Sequence, residues 1–214
     1  MILKLEDLIK LPNLPLPGEK AHMEMSPKMR DTAQKIRGQK VSFRESAVLV
    51  ILYNDGNGLN IPLIERNVYD GTHSGQISFP GGKRESNDPH LEHTALRETK
   101  EEIGLEKDDL KVIHQLSDIY IPPSNFMVTP YLAYHENETR FIPDETEVAS
   151  IIPFPLAALL DDSIIETRKI FVQKYNAHLK VPAYVYQENV IWGATAIILA
   201  ELKHMIKNLI GQSL

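Results

Sequence analysis

The stretch Gly81 to Leu105, GGKRESNDPHLEHTALRETKEEIGL, places the tightest constraint on what this chain can become. Its centre, Arg97-Glu98-Thr99-Lys100-Glu101-Glu102, puts three carboxylates within five residues on a segment that reads as a helix. At i,i+3 and i,i+4 spacing such charges repel one another. Chains that break a local rule this sharply tend to do so at a functional site. A divalent cation would make the arrangement tolerable.

The helix has readable ends. Asp88-Pro89 predicts the start, with Asp88 as N-cap and proline at the first helical position, where no N–H is needed. Ile103-Gly104 predicts the stop, with glycine in the left-handed position after the last turn. Roughly four turns lie between them. On a helical wheel Leu96, Thr99 and Ile103 share a flank suited to packing on a sheet. Glu98 and Glu102 lie on the opposite flank with Glu101 beside them, and Arg97 is placed i,i+4 from Glu101 to orient that carboxylate. Three carboxylates and no cysteine suit a hard, oxygen-seeking ion such as Mg²⁺ or Mn²⁺. The plainer alternative is a solvated acidic face. The glycine turn ahead of the helix and the arginine inside the cluster favour a site.

A chain of 214 residues with 43% hydrophobic and 24% charged residues has enough material for one domain with a sizeable core. Net charge of −6 argues against a general nucleic-acid or anionic-membrane binder. An anionic substrate therefore needs a metal or a local basic patch. With no cysteine there is no disulfide, thiolate metal site or thiol nucleophile, which fits a reducing, cytoplasmic setting. MILKLEDLIKLPNL carries acids and prolines where a signal peptide needs an unbroken apolar core, and no apolar run reaches the ~20 residues that span a bilayer.

Along the chain, residues 2–10 predict a short amphipathic helix, followed by an extended proline-bearing segment to about Pro27. Residues 1–40 read as an arm packed on a single domain of residues 41–214. His22, Met25 and Arg30 are expected there in surface or packing roles. Ser46–Tyr53 predicts a strand covered on both faces, paired through Asn54–Gly58 with Ile61–Ile64. Gln76–Phe79, Leu110–Leu116, Met127–Tyr134, Val148–Phe154, Lys169–Val172 and Ala183–Gln187 are further strands, with Pro80-Gly81-Gly82 ending the first of these. Trp192–Asn208 predicts a terminal helix. Many short strands with two principal helices point to an α/β (α+β) fold, a mixed β-sheet sandwiched between helices.

Gly82, Glu85, Asp88 and Arg97-Glu98-Thr99-Lys100-Glu101-Glu102-Ile103-Gly104-Leu105 resemble the Nudix box. Two departures stand out: Asp88 occupies the place of a glutamate, one residue further from the arginine, and Thr99 replaces an apolar residue. Glu65-Arg66, His73–Gly82, Thr94–Leu96, Pro122–Pro130, Glu147-Val148 and Ile191–Ala196 resemble the coenzyme A pyrophosphatase branch of that superfamily, across about residues 45–200. Where that branch commonly has leucine-arginine, this chain has Asp70-Gly71, so a basic substrate contact is missing or supplied elsewhere.

The resemblance implies a Nudix-type α/β/α sandwich and metal-dependent hydrolysis of a diphosphate, here in coenzyme A or a derivative, giving 3′,5′-ADP and 4′-phosphopantetheine. It implies Glu98 and Glu102 as ligands of Mg²⁺ or Mn²⁺, Glu101 as ligand or general base, the Gly82 carbonyl as backbone ligand, and Arg97 as organiser of the carboxylates. Glu145 or Glu147 is an alternative base. His73, Ser74 and Gln76 are placed to contact phosphate or nucleotide, and Ser124, Asn125 and Phe126 the pantetheine or adenine side. Structural roles for these six are comparably weighted. The rival readings are a hydrolase of ADP-ribose, a dinucleotide or an oxidised nucleotide, and, with less support, a non-catalytic nucleotide-binding module. The expected partner is a small molecule, with neither nucleic acid nor membrane, and the general frequency of such assemblies adds a homodimer as a mild expectation.

Overall fold

The computed structural model describes residues 5–27, 32–39, 42–67, 75–136 and 140–211. In chain order the helices and strands are α1 (Leu5–Leu8), α2 (Glu19–His22), α3 (Ala33–Gly38), β1 (Arg44–Asn54), β2 (Leu59–Arg66), β3 (Ile77–Ser78), β4 (Gly81–Lys83) and α4 (Leu91–Ile103). There follow β5 (Leu110–Gln115), β6 (Ile119–Ile121), β7 (Phe126–His135), β8 (Val148–Pro155), α5 (Leu156–Leu160), β9 (Ile165–Val172), β10 (Ala177–Tyr186), β11 (Asn189–Trp192) and α6 (Gly193–Leu209).

β1 is the hub. It lies parallel to β7 along nine register pairs, from Arg44↔Phe126 to Leu52↔Tyr134, and antiparallel to β2 and β4. The sheet runs β3-β2-β1-β7-β5, with β8 added on β2 and β6 on β7. Alternation along β1 sends side chains to opposite layers. Ala47, Leu49 and Ile51 meet Ala95 and Ile103 of α4, whereas Val50 and Leu52 join Ile197, Ile198, Leu202 and Met205 of α6. The near-continuous apolar run of β1 follows from this, because both faces are covered. The fold is an α/β/α sandwich on a mixed sheet. β9, β10 and β11 form a separate three-stranded sheet. Among the described residues, no helix is long and apolar enough to cross a membrane.

Several expectations need correction. The N-cap of α4 is His90, whose Nδ1 accepts from the His93 N–H at 3.2 Å, and α4 begins two residues after Pro89. Asp88 is unavailable as a cap because its oxygens accept from the Glu85 N–H, the Thr94 hydroxyl and the Arg97 guanidinium. The C-terminal stop is as expected: Gly104 has φ 75° and its N–H donates to the Lys100 carbonyl. Gly81-Gly82, read as a strand stop, is itself strand β4, pairing Val48↔Gly81 and Ala47↔Gly82. β4, β6 and β11 are too short to show a period of two. The segment to Pro27 is not extended. It folds into 3₁₀ turns at Leu11–Asn13 and Met23–Met25 and into α2, with Leu8, Leu11 and Met25 buried in the α6-side core.

A buried carboxylate ties this N-terminal segment to α6. Glu201 Oε1 accepts from the Gly18 N–H at 3.1 Å and the Ser117 hydroxyl at 2.6 Å. Its Oε2 accepts from the Ser117 N–H at 3.1 Å and lies 3.2 Å from His22 Nε2. Burial raises the pKa of Glu201, but the His22 and Ser117 bonds outweigh it and hold the acid below its ordinary value. Glu201→Leu leaves those donors buried without an acceptor, so urea denaturation should show a loss of about 3–5 kcal/mol.

Candidate active site

Gly81 and Gly82 bring the backbone of β4 under α4. A Cβ at residue 81 would overlap the Ala47 carbonyl and Val48, and Gly81 has φ 148°, so no larger residue fits. A Cβ at residue 82 would overlap the carboxylate of Glu98. The Glu98 carboxylate thus rests directly on the Gly82 backbone. One helical turn later, Glu102 is 1% exposed. Its Oε2 accepts from the Gly81 N–H at 2.8 Å and its Oε1 from Arg66 Nη1 at 2.7 Å.

Arg97 organises the other side. Its Nε and Nη2 grip Asp88 at 3.1 and 3.0 Å, and Nη2 also donates to the Lys83 carbonyl at 3.2 Å. Nη1 is shared between Glu98 Oε1 and Glu101 Oε2, each at 2.8 Å. Planar guanidinium geometry makes this possible; an ammonium could not hold two faces at once.

The same neighbourhood drives acids in opposite directions. The Arg97 bond, aided by the Glu85 N–H, Thr94 and His93, holds Asp88 far below the usual carboxylate range, and Arg97 is raised in turn, first by its bond to Asp88. Glu102 is pushed up to about 7, chiefly by burial, against the pull of Arg66 and the Gly81 N–H. Glu98 is raised by burial too, partly offset by Arg97, with the charges of Glu101 and Glu147 adding to the rise. A pair of desolvated carboxylates beside further acids is short of positive charge.

Arg66 Nη2 lies 3.6 Å from Glu147 Oε2, so one arginine spans Glu102 and the chain ahead of β8. Gln76 sits on the same side, its carbonyl accepting from the Arg66 N–H. His73 and Ser74 lie outside the described residues. Glu145 is exposed, its carbonyl held by Asn67. Ser124, Asn125 and Phe126 are elsewhere, at the start of β7 where Phe126 pairs with Arg44. Asn125 has φ 55°, and its side chain accepts from the Tyr120 hydroxyl and donates to the Ser42 carbonyl. Phe126 lies under the Arg44 guanidinium, 4.1 Å from it. Among the described hydrogen bonds and ion pairs, none joins these three residues to Glu98 or Glu102.

The residues brought together are therefore Gly81, Gly82, Arg97, Glu98, Glu101, Glu102, Arg66 and Glu147. Sequence reading included Arg66 only within a resembling segment. Its signal was an arginine ending a buried strand beside Glu65. Among the described residues, no three histidine or carboxylate side chains converge into a ready-made metal cluster. The donor set still fits a small hard cation: two carboxylates whose burial disfavours their charge, one of them seated on the backbone of Gly82.

A family model described as the NUDIX domain matches residues 43–175. An uncharacterized Nudix hydrolase NudL of Pectobacterium atrosepticum is 33% identical over 142 residues, covering 64% of this chain and 69% of the relative. Nudix hydrolase 15, mitochondrial, of Arabidopsis thaliana is 33% identical over 161 residues, covering 73% of this chain and 56% of that protein. Among solved structures, a NUDIX hydrolase from Nitrosomonas europaea superposes with TM-score 0.51 at 16% identity, over 80% of this chain and 75% of that one. A MutT/nudix family protein from Enterococcus faecalis reaches TM-score 0.50 at 15% identity, over 99% and 81% respectively. These two show likeness of fold alone.

Asp88→Asn removes the charge that anchors Arg97 and should cost about 3 kcal/mol near pH 7 by chemical denaturation. Because the folded-state pKa of Asp88 is depressed, its contribution is fully present above the unfolded value of about 3.9 and fades only as pH falls below it. The gap between wild type and variant should thus stay flat from pH 5 to 8 and narrow below about pH 4.

Proposed function

The chain belongs to the NUDIX family, hydrolases of nucleoside diphosphate derivatives at phosphoanhydride bonds, and from that premise we propose that it cleaves the diphosphate of coenzyme A or its derivatives. The observation that carries the chemistry is the packing of Glu98 on Gly82 beside Glu102, which Arg66 and the Gly81 N–H hold in place. The choice of substrate rests on resemblance to the coenzyme A pyrophosphatase branch in His73–Gly82, Pro122–Pro130 and Ile191–Ala196.

In this reading Glu98, Glu102 and the Gly82 carbonyl hold Mg²⁺ or Mn²⁺, the kind of ion the family generally uses, with Glu101 one position from Glu102 to join them. When bound, such an ion neutralises phosphoryl oxygens and acidifies the attacking water. The chain's own groups do the rest. Arg97 keeps Glu98 and Glu101 from drifting apart, and through Asp88 it fixes them to the loop before α4. Arg66 holds Glu102 and draws Glu147 toward it. We assign the general base to Glu147: both acids are more than half exposed, but Arg97 grips Glu101 at 2.8 Å whereas Arg66 stands 3.6 Å from Glu147, which leaves that carboxylate freer to take a proton. The base accepts a proton from water as the water oxygen bonds to phosphorus and the bridging oxygen leaves. Gln76, with His73 and Ser74, is assigned to the substrate's anionic end.

Incubation with coenzyme A and Mg²⁺ or Mn²⁺ should release 3′,5′-ADP and 4′-phosphopantetheine. Turnover of ADP-ribose without turnover of coenzyme A would instead assign the other substrate class. Glu147→Gln should lower kcat by about 10²–10⁴-fold while Mn²⁺ affinity stays unchanged; the same effect in Glu101→Gln alone would move the base to Glu101.

Metal binding should also be visible without substrate. A hundredfold excess of Mn²⁺ over its Kd stabilises the native state by about 2.7 kcal/mol. For a chain of this size that corresponds to a rise of roughly 5–10 °C in Tm. EDTA should reverse the rise, and Glu98→Gln or Glu102→Gln should abolish it.

A further inference from the structure

The hairpin of β9 and β10 breaks a local rule that nothing at the hydrolytic site explains. Their register sets Lys169 directly opposite Lys180. Like charges across an antiparallel pair are destabilising. The next pair along is Phe171 and His178, in edge-to-face contact with centroids 5.2 Å apart. Lys174 and Tyr175 occupy the turn that closes the hairpin. All six side chains are exposed, Phe171 by 51% and Tyr175 by 49%. None of the ion pairs among the described residues involves Lys169, Lys174 or Lys180. The opposite face is occupied: Val172 and Val181 are buried, and β10 packs on the Met23–Met25 turn.

From Ile165 to Tyr186 the chain has four basic residues and one acid, a charge of +3, so the remainder of a chain of net charge −6 carries −9. A lone lysine on an edge strand such as β9 is an ordinary guard against strand pairing. Lys180 lies outside the part of β10 that β11 pairs, Ala183–Tyr186, so it too stands at a sheet edge, but two such guards set directly opposite each other, with Lys174 in the turn between them, are not accounted for in that way. Lysines flanking two projecting aromatic rings match an interface with anionic headgroups outside and apolar chains beneath, since Tyr and Phe rings settle at that boundary. A protein partner fits less well, because a standard interface takes about 20–30 residues a side and this patch offers six. The acidity of the remainder, which excludes general membrane affinity, would orient the molecule with the hairpin toward the surface.

We propose that the exposed face and tip of the β9–β10 hairpin dock this protein on an anionic phospholipid surface through Lys169, Lys174 and Lys180, with Phe171 and Tyr175 at the contact. The proposal is independent of which diphosphate is hydrolysed. It is tested by co-sedimenting the full chain with vesicles of phosphatidylcholine alone and of three parts phosphatidylcholine to one part phosphatidylserine. Binding should need phosphatidylserine and weaken with salt. At about 1 kcal/mol for each lysine near the surface, Lys169→Glu with Lys180→Glu should weaken partitioning by at least roughly thirty-fold. Phe171→Ser with Tyr175→Ser should weaken it with the salt dependence retained. Both pairs of sites are exposed, so circular dichroism and thermal melts should stay close to wild type. Absence of binding to phosphatidylserine vesicles, equal binding to phosphatidylcholine, or binding unaffected by the lysine changes would overturn the proposal. Capture of a single-stranded RNA oligonucleotide without vesicle binding would also overturn it and assign the face to nucleic acid.

Discussion

The candidate site depends on one guanidinium. Arg97 holds Asp88 with two nitrogens, the Lys83 carbonyl with one of those, and the carboxylates of Glu98 and Glu101 with the third. Without it, the helix would present acids on adjacent turns with little to offset them. The loop between β4 and α4 would also lose its tie to the helix. Asp88 makes the arrangement durable. It is nearly buried and accepts from a backbone N–H and from Thr94 as well, so the arginine is fixed at its far end before it meets the glutamates. A bidentate pair restrains direction as well as distance. For that reason Arg97 can serve two carboxylates without collapsing onto either.

Two arginines divide the acids of the motif into those kept charged and those held in reserve. Asp88, supplied with donors on every side, stays ionised far into acid. Glu98 and Glu102, facing backbone glycines and each other, are raised by burial despite Arg97 and Arg66. Burial that disfavours a charge is a cost in an isolated fold, and it is the condition under which an added cation gains most. The glycines matter for the same reason. At Gly81 the backbone must pass close to β1, and at Gly82 no Cβ can intervene between the strand and the Glu98 carboxylate. Side chains there would push the acids outward into water.

How much of this could be read from residues alone depends on range. The spacing of Arg97, Glu98, Glu101 and Glu102, the stop at Gly104 and the covered run of β1 are local and show in composition and period. Asp88 has the local pattern of an N-cap, but its principal partner is nine residues away, and a charged donor outcompetes a helix N–H for a carboxylate. The residues of β4 have the local pattern of a stop, because two glycines in sequence look like a turn. Only pairing with β1 makes them a strand. Arg66 meeting Glu102 across 36 residues has no local signature. Asn125 reads as a ligand contact only through the resemblance of Pro122–Pro130 to the coenzyme A pyrophosphatase branch. In the fold its amide is spent on Tyr120 and Ser42, shaping the turn into β7.

The segment before β1 illustrates how a polar group can decide packing that apolar pattern leaves open. Leu8, Leu11 and Met25 have too few apolar neighbours in sequence to make a core, and they are buried only because α6 and the sheet receive them. Apolar contact alone is nondirectional and would accept several registers. Glu201 removes that freedom. Its two oxygens have four donors from Gly18, His22 and Ser117, and a shift of one residue in any of the three segments would strand the carboxylate in a dry interior. α6 therefore acts in two ways: its leucines and isoleucines supply the burial, and its one buried acid selects the register in which that burial occurs. The β9–β10 hairpin, fastened through Val172, Val181 and the Met23–Met25 turn, is carried by the same assembly.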